Sequence, residues 1–249
     1  DESIRHSITK MSHIHFTANS TYRSRVIQLG ENPINVFNVG ALGLENIRRL
    51  TALGREELEK VLGINLRVNN LLIVWHPATL EPAGSEIDFQ IILNALENFQ
   101  DMTLIFSKSN ADTDSRIIFE LIESFVTKNK NAHVFASLGQ LRYLSCIAQV
   151  DSVVGNSSSG LAEVPTFKKA TINIGDRQKG RRKAKSIIDC EPTKASIKQA
   201  IDTLYSEDYQ KDFSLVKNPY GEGNATEKIM EVLQETTLPK NPKKEFYDL

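Results

Sequence analysis

Three consecutive serines stand in the stretch "SVVGNSSSG", directly after a short apolar run that predicts a buried strand. Gly155 lets the chain turn at the end of this strand, and Asn156 adds a side-chain amide to the serine hydroxyls. Backbone N–H groups and short hydroxyls at the start of a helix bind phosphate oxygens without needing a lysine. The pattern therefore predicts a diphosphate site formed by Ser157, Ser158, Ser159 and Gly160.

An acidic residue and a basic loop accompany the serines. Glu163 lies one turn further on, where its carboxylate is expected to accept two hydroxyls of a ribose. The basic stretch "GDRQKGRRKAK" follows the next predicted strand, and strand-end loops of a parallel sheet open on one edge. From it, Arg177 and Arg181 are expected to reach phosphate oxygens in forked geometry. The alternatives are that the serines only cap a helix and that the basic loop is a solvated charge run.

A histidine also falls at the carboxyl end of a predicted strand. His76 follows "LLIVW" and precedes Pro77, which restricts the turn. A lone histidine is more often structural, but at this edge its imidazole is suited to donate to a phosphate or to a departing nucleotide. His76 is therefore a further candidate site residue.

The elements that must position these residues alternate between strands and helices at least six times along the chain. Strand patterns such as "HIHF", "NLLIVW" and "TLIF" are each followed by helical spacing. Parallel strands need crossover connections, and both faces of the sheet then need covering. The rhythm predicts an α/β fold with a parallel sheet between helices. We expect the polar tail after the last helix, "LPKNPKKEFYDL", to be poorly ordered.

Composition narrows the class of protein. The 249 residues include 30 Lys and Arg against 31 Asp and Glu, and no apolar run reaches transmembrane length. Nothing in this balance favours a nucleic acid or a membrane as partner. Cys146 and Cys190 form no metal-spaced pair, so we expect reduced thiols and a cytoplasmic protein.

Five motifs follow one another along the chain: "DESIRHSITKMSH", "WHP", "VVGNSSSGLAEVP", "INIGDRQKGR" and "YGEGNA". In this order they closely resemble the UDP-N-acetylglucosamine 2-epimerases. The resemblance is strongest to the hydrolysing branch, which supplies N-acetylmannosamine or a related sugar for sialic-acid-type nonulosonates. The resemblance covers essentially the whole chain. It implies two Rossmann-like domains in the GT-B arrangement, and the chain resembles the C-terminal two thirds of a member. We accordingly expect residues 1–50 to end the N-terminal domain, 51–235 to form the UDP-binding domain and 236–249 to be a tail.

The resemblance also implies roles residue by residue. Asp1 matches the acid of the family's "DExIRH" motif, which takes part in proton transfer, and Arg5 matches an arginine that contacts the substrate. His76 matches the histidine of the nucleotide-sugar site. The remaining matches are phosphate, ribose and nucleotide contacts at Ser157, Ser158, Glu163, Arg177 and Asn110.

The chemistry implied by the resemblance is anti-elimination of UDP across C1–C2 of a UDP-2-acetamido sugar. Water then adds at C1, and C2 is reprotonated from the other face. No metal or cofactor is expected, and the family implies a homodimer. A close variant uses a modified sugar such as the diacetylated bacillosamine derivative.

Two other functions remain open at this point. One alternative to the epimerase is a UDP-binding module without turnover. The other is a GT-B glycosyltransferase, and "DESIRHSITK" speaks against it.

Overall fold

The computed structural model describes residues 2–77, 82–108, 115–211, 216–237 and 243–249. The chain divides into two compact units, Asp1–Arg49 with Asn218–Leu249 and Leu50–Lys217. The first boundary lies close to the one expected at residue 50. Residues 218–235 were expected in the second domain, whereas here they pack with the first unit.

The first unit is built around two short parallel strands, β1 (His15–Thr17) and β2 (Val36–Asn38). Asn19 caps the helix between them, because its side chain accepts a hydrogen bond from the Tyr22 N–H. The helices of this unit are α1 (Glu2–Met11), α2 (Ser20–Gln28), α3 (Glu45–Arg49) and α11 (Ala225–Glu235), with 3₁₀ turns at Pro33–Asn35 and Leu42–Leu44.

The C-terminal residues pack against this first unit. The Tyr247 N–H donates to the carbonyl of Gly30 at 3.0 Å. The Lys244 ammonium lies 2.6 Å from the Glu31 carboxylate and also donates to the carbonyls of Thr9 and Lys10. The expectation of a poorly ordered tail is therefore wrong for residues 243–249.

The second unit contains a six-stranded sheet, all of whose pairs are parallel, in the order β5-β4-β3-β6-β7-β8. This is the strand order of a Rossmann fold, so the predicted α/β fold class is confirmed. β8 was not predicted. The strands are β3 (Asn69–Val74), β4 (Met102–Ser107), β5 (Ala132–Phe135), β6 (Ser152–Gly155), β7 (Ala170–Ile174) and β8 (Ile187–Cys190).

Helices cover both faces of this sheet. Leu71, Ile73 and Trp75 join one buried cluster with residues of α5, α6 and α9, whereas Leu72 and Val74 alternate to the opposite face. The helices are α4 (Arg55–Leu62), α5 (Pro82–Leu96), α6 (Ser115–Lys128), α7 (Gly139–Gln149), α8 (Ser159–Ala162), α9 (Lys194–Leu204) and α10 (Glu207–Lys211). A 3₁₀ turn at Val164–Phe167 follows α8.

Cys146 and Cys190 are both free thiols, as expected. Burial raises the pKa of each thiol to about 12, so both stay protonated near neutral pH. Over the described ranges of the chain, no helix is long and apolar enough to cross a membrane.

Candidate functional site

The candidate residues of the second unit gather where the strand order of the sheet reverses. β3 is the first strand of the unit and lies between β4 and β6. The chain adds β4 and β5 on one side of β3 and then returns to add β6, β7 and β8 on the other side. Ligands of open α/β sheets bind outside the carboxyl ends of the strands at such a point. His76 follows β3 there, and the serine triplet follows β6.

Asn156 joins three of the predicted segments. Its side chain forms two hydrogen bonds, each 2.8 Å long, with the backbone N–H and carbonyl of His76. Its own carbonyl accepts hydrogen bonds from the Arg177 guanidinium at 3.0 Å and the Gln178 side-chain amide at 2.7 Å. The histidine, the serines and the basic loop therefore meet at one edge, as the sequence predicted.

The serine hydroxyls form a short chain of hydrogen bonds. Ser157 Oγ lies 3.1 Å from Ser159 Oγ, which lies 2.5 Å from the Tyr143 hydroxyl. The amides of Ser159 and Gly160 bond within the turn, to the hydroxyl and carbonyl of Ser157. Among the bonds formed within the described residues, none engages the amides of Ser157 and Ser158, so these two are the amides left for a phosphate.

Glu163 lies within electrostatic reach of Tyr143, whose hydroxyl contacts Ser159. Burial raises the pKa of the Glu163 carboxyl. Burial also raises the pKa of Tyr143 to about 12, and the nearby Glu163 charge adds to this increase against the opposing effect of the Ser159 hydrogen bond. Tyr143 therefore keeps its proton near neutral pH and is a hydrogen-bond donor or acceptor beside the carboxylate.

The basic loop contributes two neighbouring guanidinium groups. Burial lowers the pKa of Arg177, and the positive charge of Arg181 lowers it further, which places the two side chains within electrostatic reach of each other. An anion between them would relieve this repulsion. Beside Arg177 opens a cavity of about 350 Å³, and the residues that line it include Trp75, Asp88, Asn156, Gly175 and Lys179.

The two glycines that flank the serines have backbone roles. Gly155 has φ +141, and a Cβ there would collide with the carbonyl oxygen of Val74 on the neighbouring strand. A Cβ on Gly160 would lie 2.6 Å from the Thr171 methyl, and the Thr171 hydroxyl donates to the Gly160 carbonyl at 2.7 Å. Gly160, predicted as a binding residue, therefore permits α8 to pack closely on β7.

The three other predicted residues are not among the described residues of the second unit. Arg5 is exposed on α1 of the first unit. Asp1 and Asn110 fall outside the described residues. Within the described ranges, no group of three or more His, Cys, Asp or Glu side chains is arranged to hold a metal ion.

Sequence reasoning missed Tyr143 and Gln178. Tyr143 lies in the first half of α7, which starts beyond the carboxyl end of β5, and this position was a usable signal of proximity to the edge. Gln178 sits inside the quoted motif "RQKGR", but only the fold shows that its side chain is buried and bonded to the Asn156 carbonyl.

Together these residues offer hydroxyl, amide and guanidinium donors around one edge of a sheet, with a half-buried carboxylate beside them. Donors and positive charge of this kind stabilise a diphosphate, including the charge that develops when it leaves. A carboxylate acceptor suits ribose hydroxyls. The arrangement is thus chemically suited to a nucleoside diphosphate.

Comparisons with known proteins identify chains to which this one is similar. The family model described as UDP-N-acetylglucosamine 2-epimerase matches residues 1–234. The chain is 40% identical over 213 residues to a GDP/UDP-N,N'-diacetylbacillosamine 2-epimerase (hydrolyzing) from Campylobacter jejuni, covering 85% of this chain and 55% of the relative. It is also 40% identical over 251 residues to the polysialic acid biosynthesis protein P7 of Escherichia coli, covering 100% of this chain and 64% of the relative.

The fold also matches solved structures. A Staphylococcus aureus MnaA–UDP structure aligns with a TM-score of 0.74 at 16% identity, covering 91% of this chain and 60% of that one. This likeness supports the Rossmann-like, GT-B-type fold class. The chain spans less than two thirds of the length of these relatives.

Proposed function

The chain belongs to the UDP-N-acetylglucosamine 2-epimerase family, and from this premise we propose that the complete protein is a hydrolysing 2-epimerase of a UDP-2-acetamido sugar. UDP-N-acetylglucosamine is the first candidate substrate, and the products are UDP and the free 2-epimer, N-acetylmannosamine. The observation that carries the proposal is the meeting of His76, the serine triplet and Arg177 around Asn156.

The proposed reaction has two steps, an elimination and an addition of water. In the first, the C1–O bond to the diphosphate breaks while a base removes the C2 proton, which leaves a C1–C2 double bond and UDP. In the second, water adds its hydroxyl at C1, and an acid returns a proton to C2 on the opposite face. The net consumption is one water for each UDP-sugar.

Breaking of the C1–O bond must lead, because no carbonyl lies next to C2 to make its proton acidic. Stabilising the departing diphosphate is therefore the main demand on the site. We assign this role to His76, Arg177, Arg181 and the amides of Ser157 and Ser158. Glu163 accepts the ribose hydroxyls in this scheme, beside the protonated hydroxyl of Tyr143.

The catalytic acid and base are carboxylates near the sugar in this proposal. Asp1 is the candidate in this chain, with Arg5 as a substrate contact, as the family motif implies. Substitution of Asp1 by Asn in the complete protein is expected to lower turnover while UDP affinity is kept. Loss of UDP affinity instead would give Asp1 a structural role.

The experiment that tests the function is a reaction of the complete protein with UDP-N-acetylglucosamine in D₂O. Epimerisation through loss of the C2 proton predicts that the released sugar carries deuterium at C2 and has the manno configuration. Simple hydrolysis gives the gluco sugar without deuterium, and a glycosyltransferase gives no free sugar once an acceptor is supplied. Either result contradicts the proposal, and so does the absence of UDP release from every UDP-2-acetamido sugar.

A second substrate is supported by the Campylobacter jejuni relative, whose name specifies N,N'-diacetylbacillosamine. The name of the Escherichia coli relative, at the same identity, concerns polysialic acid biosynthesis, which fits the sialic-acid-type route expected with N-acetylmannosamine. Parallel measurement of kcat/KM for both UDP-sugars decides between them. We expect a higher value for UDP-N-acetylglucosamine, and the reverse order would assign the bacillosamine derivative.

We also propose that the complete protein works as a cytoplasmic homodimer. Light scattering on the complete protein would give twice the chain mass if this is right, and the mass of one chain if it is wrong.

A further inference from the structure

We propose that Asn156 is a positioning residue, which sets the place of His76 for the departure of the diphosphate. The inference deepens the proposed function, and its kinetic tests rest on that function. Asn156 was predicted only as an amide donor for a ligand, whereas the structure commits both ends of its side chain to another residue.

The contact is a two-bond clamp on the backbone of His76. The His76 N–H donates to Oδ1 of Asn156, and Nδ2 of Asn156 donates to the His76 carbonyl, both at 2.8 Å. The last paired residues of β3 and β6 are Val74 and Gly155, so the clamp continues the pairing of these strands just beyond their ends. It fixes the backbone from which the imidazole projects.

An amide is the only short side chain that satisfies both groups. It carries an acceptor oxygen and donor N–H groups at one length, whereas an ionised aspartate only accepts. Asn156 is 3% exposed, so water does not replace a lost partner easily. An aspartate at this position would place a carboxylate against the His76 carbonyl oxygen.

Asn156 contacts His76 through its side chain but contacts Arg177 and Gln178 through its main chain. Arg177 and Gln178 bond to the main-chain carbonyl of Asn156, which remains whatever the side chain is. A side-chain substitution therefore disturbs His76 while leaving the anchor of Arg177 in place. This predicts a decrease in kcat with little change in KM, because the loss falls on the leaving-group step and not on ground-state binding.

The chain supplies a matched control at the other end of β3. Asn70 makes the same two bonds with the backbone of Arg67, at 2.9 and 2.8 Å, and is 1% exposed. It lies at the amino end of the strand, roughly 20 Å from His76 at about 3.3 Å per residue. Asn70→Asp thus repeats the chemical change at a purely structural clamp.

The first experiment measures steady-state kinetics of the complete protein with UDP-N-acetylglucosamine. Asn156→Asp is expected to lower kcat about tenfold or more and to change KM less than about threefold. Asn70→Asp is expected to lower thermal stability and to leave kcat within about twofold. Equal kcat for the two variants would overturn the proposal.

A double-mutant cycle identifies the route of the effect. In a His76→Ala background, Asn156→Asp is expected to lower kcat no further, because the residue it positions is already absent. An equal fractional decrease with and without His76 would mean that Asn156 acts independently of the histidine. If Asn156→Asp does not fold, Asn156→Ser takes its place in the same cycle, since one hydroxyl can replace part of the clamp.

A readout without turnover separates this proposal from the proposed function. In the complete protein labelled with ¹⁵N-histidine, the His76 resonances are assigned by their loss in His76→Gln. They are expected to shift in Asn156→Asp and to stay in place in Asn70→Asp. If the protein releases no UDP from any UDP-sugar, the proposed function fails, and the positioning role is then judged by this comparison alone. His76 resonances that do not shift in Asn156→Asp would overturn the positioning role.

Discussion

At the scale of single residues, the site combines hydrogen-bond donors whose charge does not change near neutral pH with one carboxylate whose raised pKa makes its charge sensitive to pH. Ser157, Ser158 and the guanidinium of Arg177 donate near neutral pH. Glu163 differs, because burial raises the pKa of its carboxyl. The hydroxyl of Tyr143, whose pKa burial raises to about 12, lies within electrostatic reach of Glu163. UDP affinity is therefore expected to depend on pH through Glu163.

Ser158→Ala is expected to weaken UDP binding by about 1 kcal/mol, the usual scale of one hydrogen bond, and Glu163→Ala by somewhat more if both ribose hydroxyls bind it. Calorimetry on the complete protein measures both. Thr203→Ala on α9 is the control, since its hydroxyl donates to the Gln199 carbonyl one turn earlier in the same helix. Unchanged affinity in both site variants would remove the Ser158 hydroxyl and the Glu163 carboxylate from the site.

A second prediction concerns pH. As pH falls from neutrality, Glu163 takes up its proton at a higher pH than an ordinary glutamate, because its pKa is raised, and it then accepts fewer hydroxyls. UDP affinity of the native protein is expected to fall more steeply than that of Glu163→Gln. Protonation of UDP itself cancels in the ratio of the two proteins. A ratio independent of pH would contradict the role of the carboxylate.

At the scale of elements, the site depends on how closely β6 approaches β3. Gly155 makes this approach possible, because its positive φ and lack of a Cβ leave room for the Val74 carbonyl. The next residue, Asn156, then reaches across to His76. One backbone position therefore determines whether the serines and the histidine meet.

Gly155→Ala is expected to destabilise the protein by more than Gly175→Ala. Gly175 also has a positive φ, +75, but nothing lies within 4 Å of an added Cβ, so only the left-handed conformation costs energy, about 1 kcal/mol. Gly155→Ala adds a backbone collision to that cost. Urea unfolding of the two variants gives the comparison. Equal free energies of unfolding would show that β3 and β6 move apart to admit the added Cβ without a cost in stability.

At the scale of the whole molecule, residues from distant parts of the sequence meet in the first unit. Glu31 is buried and receives Lys10 from α1, His15 from β1 and Lys244 from the C-terminal residues. Burial alone would raise the pKa of Glu31, but these hydrogen bonds outweigh it and the pKa is lowered. Burial also lowers the pKa of His15, against the opposing effect of Glu31.

Both shifts make the native state less stable in acid. The stabilisation from Glu31 is present above its unfolded pKa and is lost as pH falls through its lower folded pKa. The unfolded chain protonates His15 below its ordinary 6.5, whereas the folded chain resists the proton, so stability also falls below that pH.

Lys244→Met is expected to lower the free energy of unfolding by about 2 kcal/mol near neutral pH, since it removes a hydrogen bond to a buried charge. The further loss in acid should be smaller and should end at a higher pH, because with one donor fewer the folded pKa of Glu31 lies closer to its unfolded value. Lys198→Met, which breaks an exposed pair with Asp202, is the control and is expected to cost a few tenths of a kcal/mol. Equal losses in the two variants would mean that residues 243–249 are held to the first unit by other contacts.

Much of the fold and part of the site could be predicted from the sequence. Strand runs such as "NLLIVW" and the turn chemistry of "GNSSSG" are local patterns, so the alternation of elements and the candidate donors followed from them. The position of residues 218–249 in the first unit did not follow, because helical spacing does not say which core a helix joins. Tyr143 and Gln178 were missed because their partners lie far away in sequence.

By itself, then, the sequence determined the class of fold, the residue types at the strand ends and the family that they resemble. Only the tertiary structure decided that Asn156 clamps His76 from 80 positions away, that Tyr143 adjoins Ser159 and that Lys244 closes on Glu31. The physical reason is that side-chain spacing and turn propensity act over a few residues. Strand order and the pairing of buried polar groups depend on contacts between distant segments, which form only when the sheet and its helices are packed.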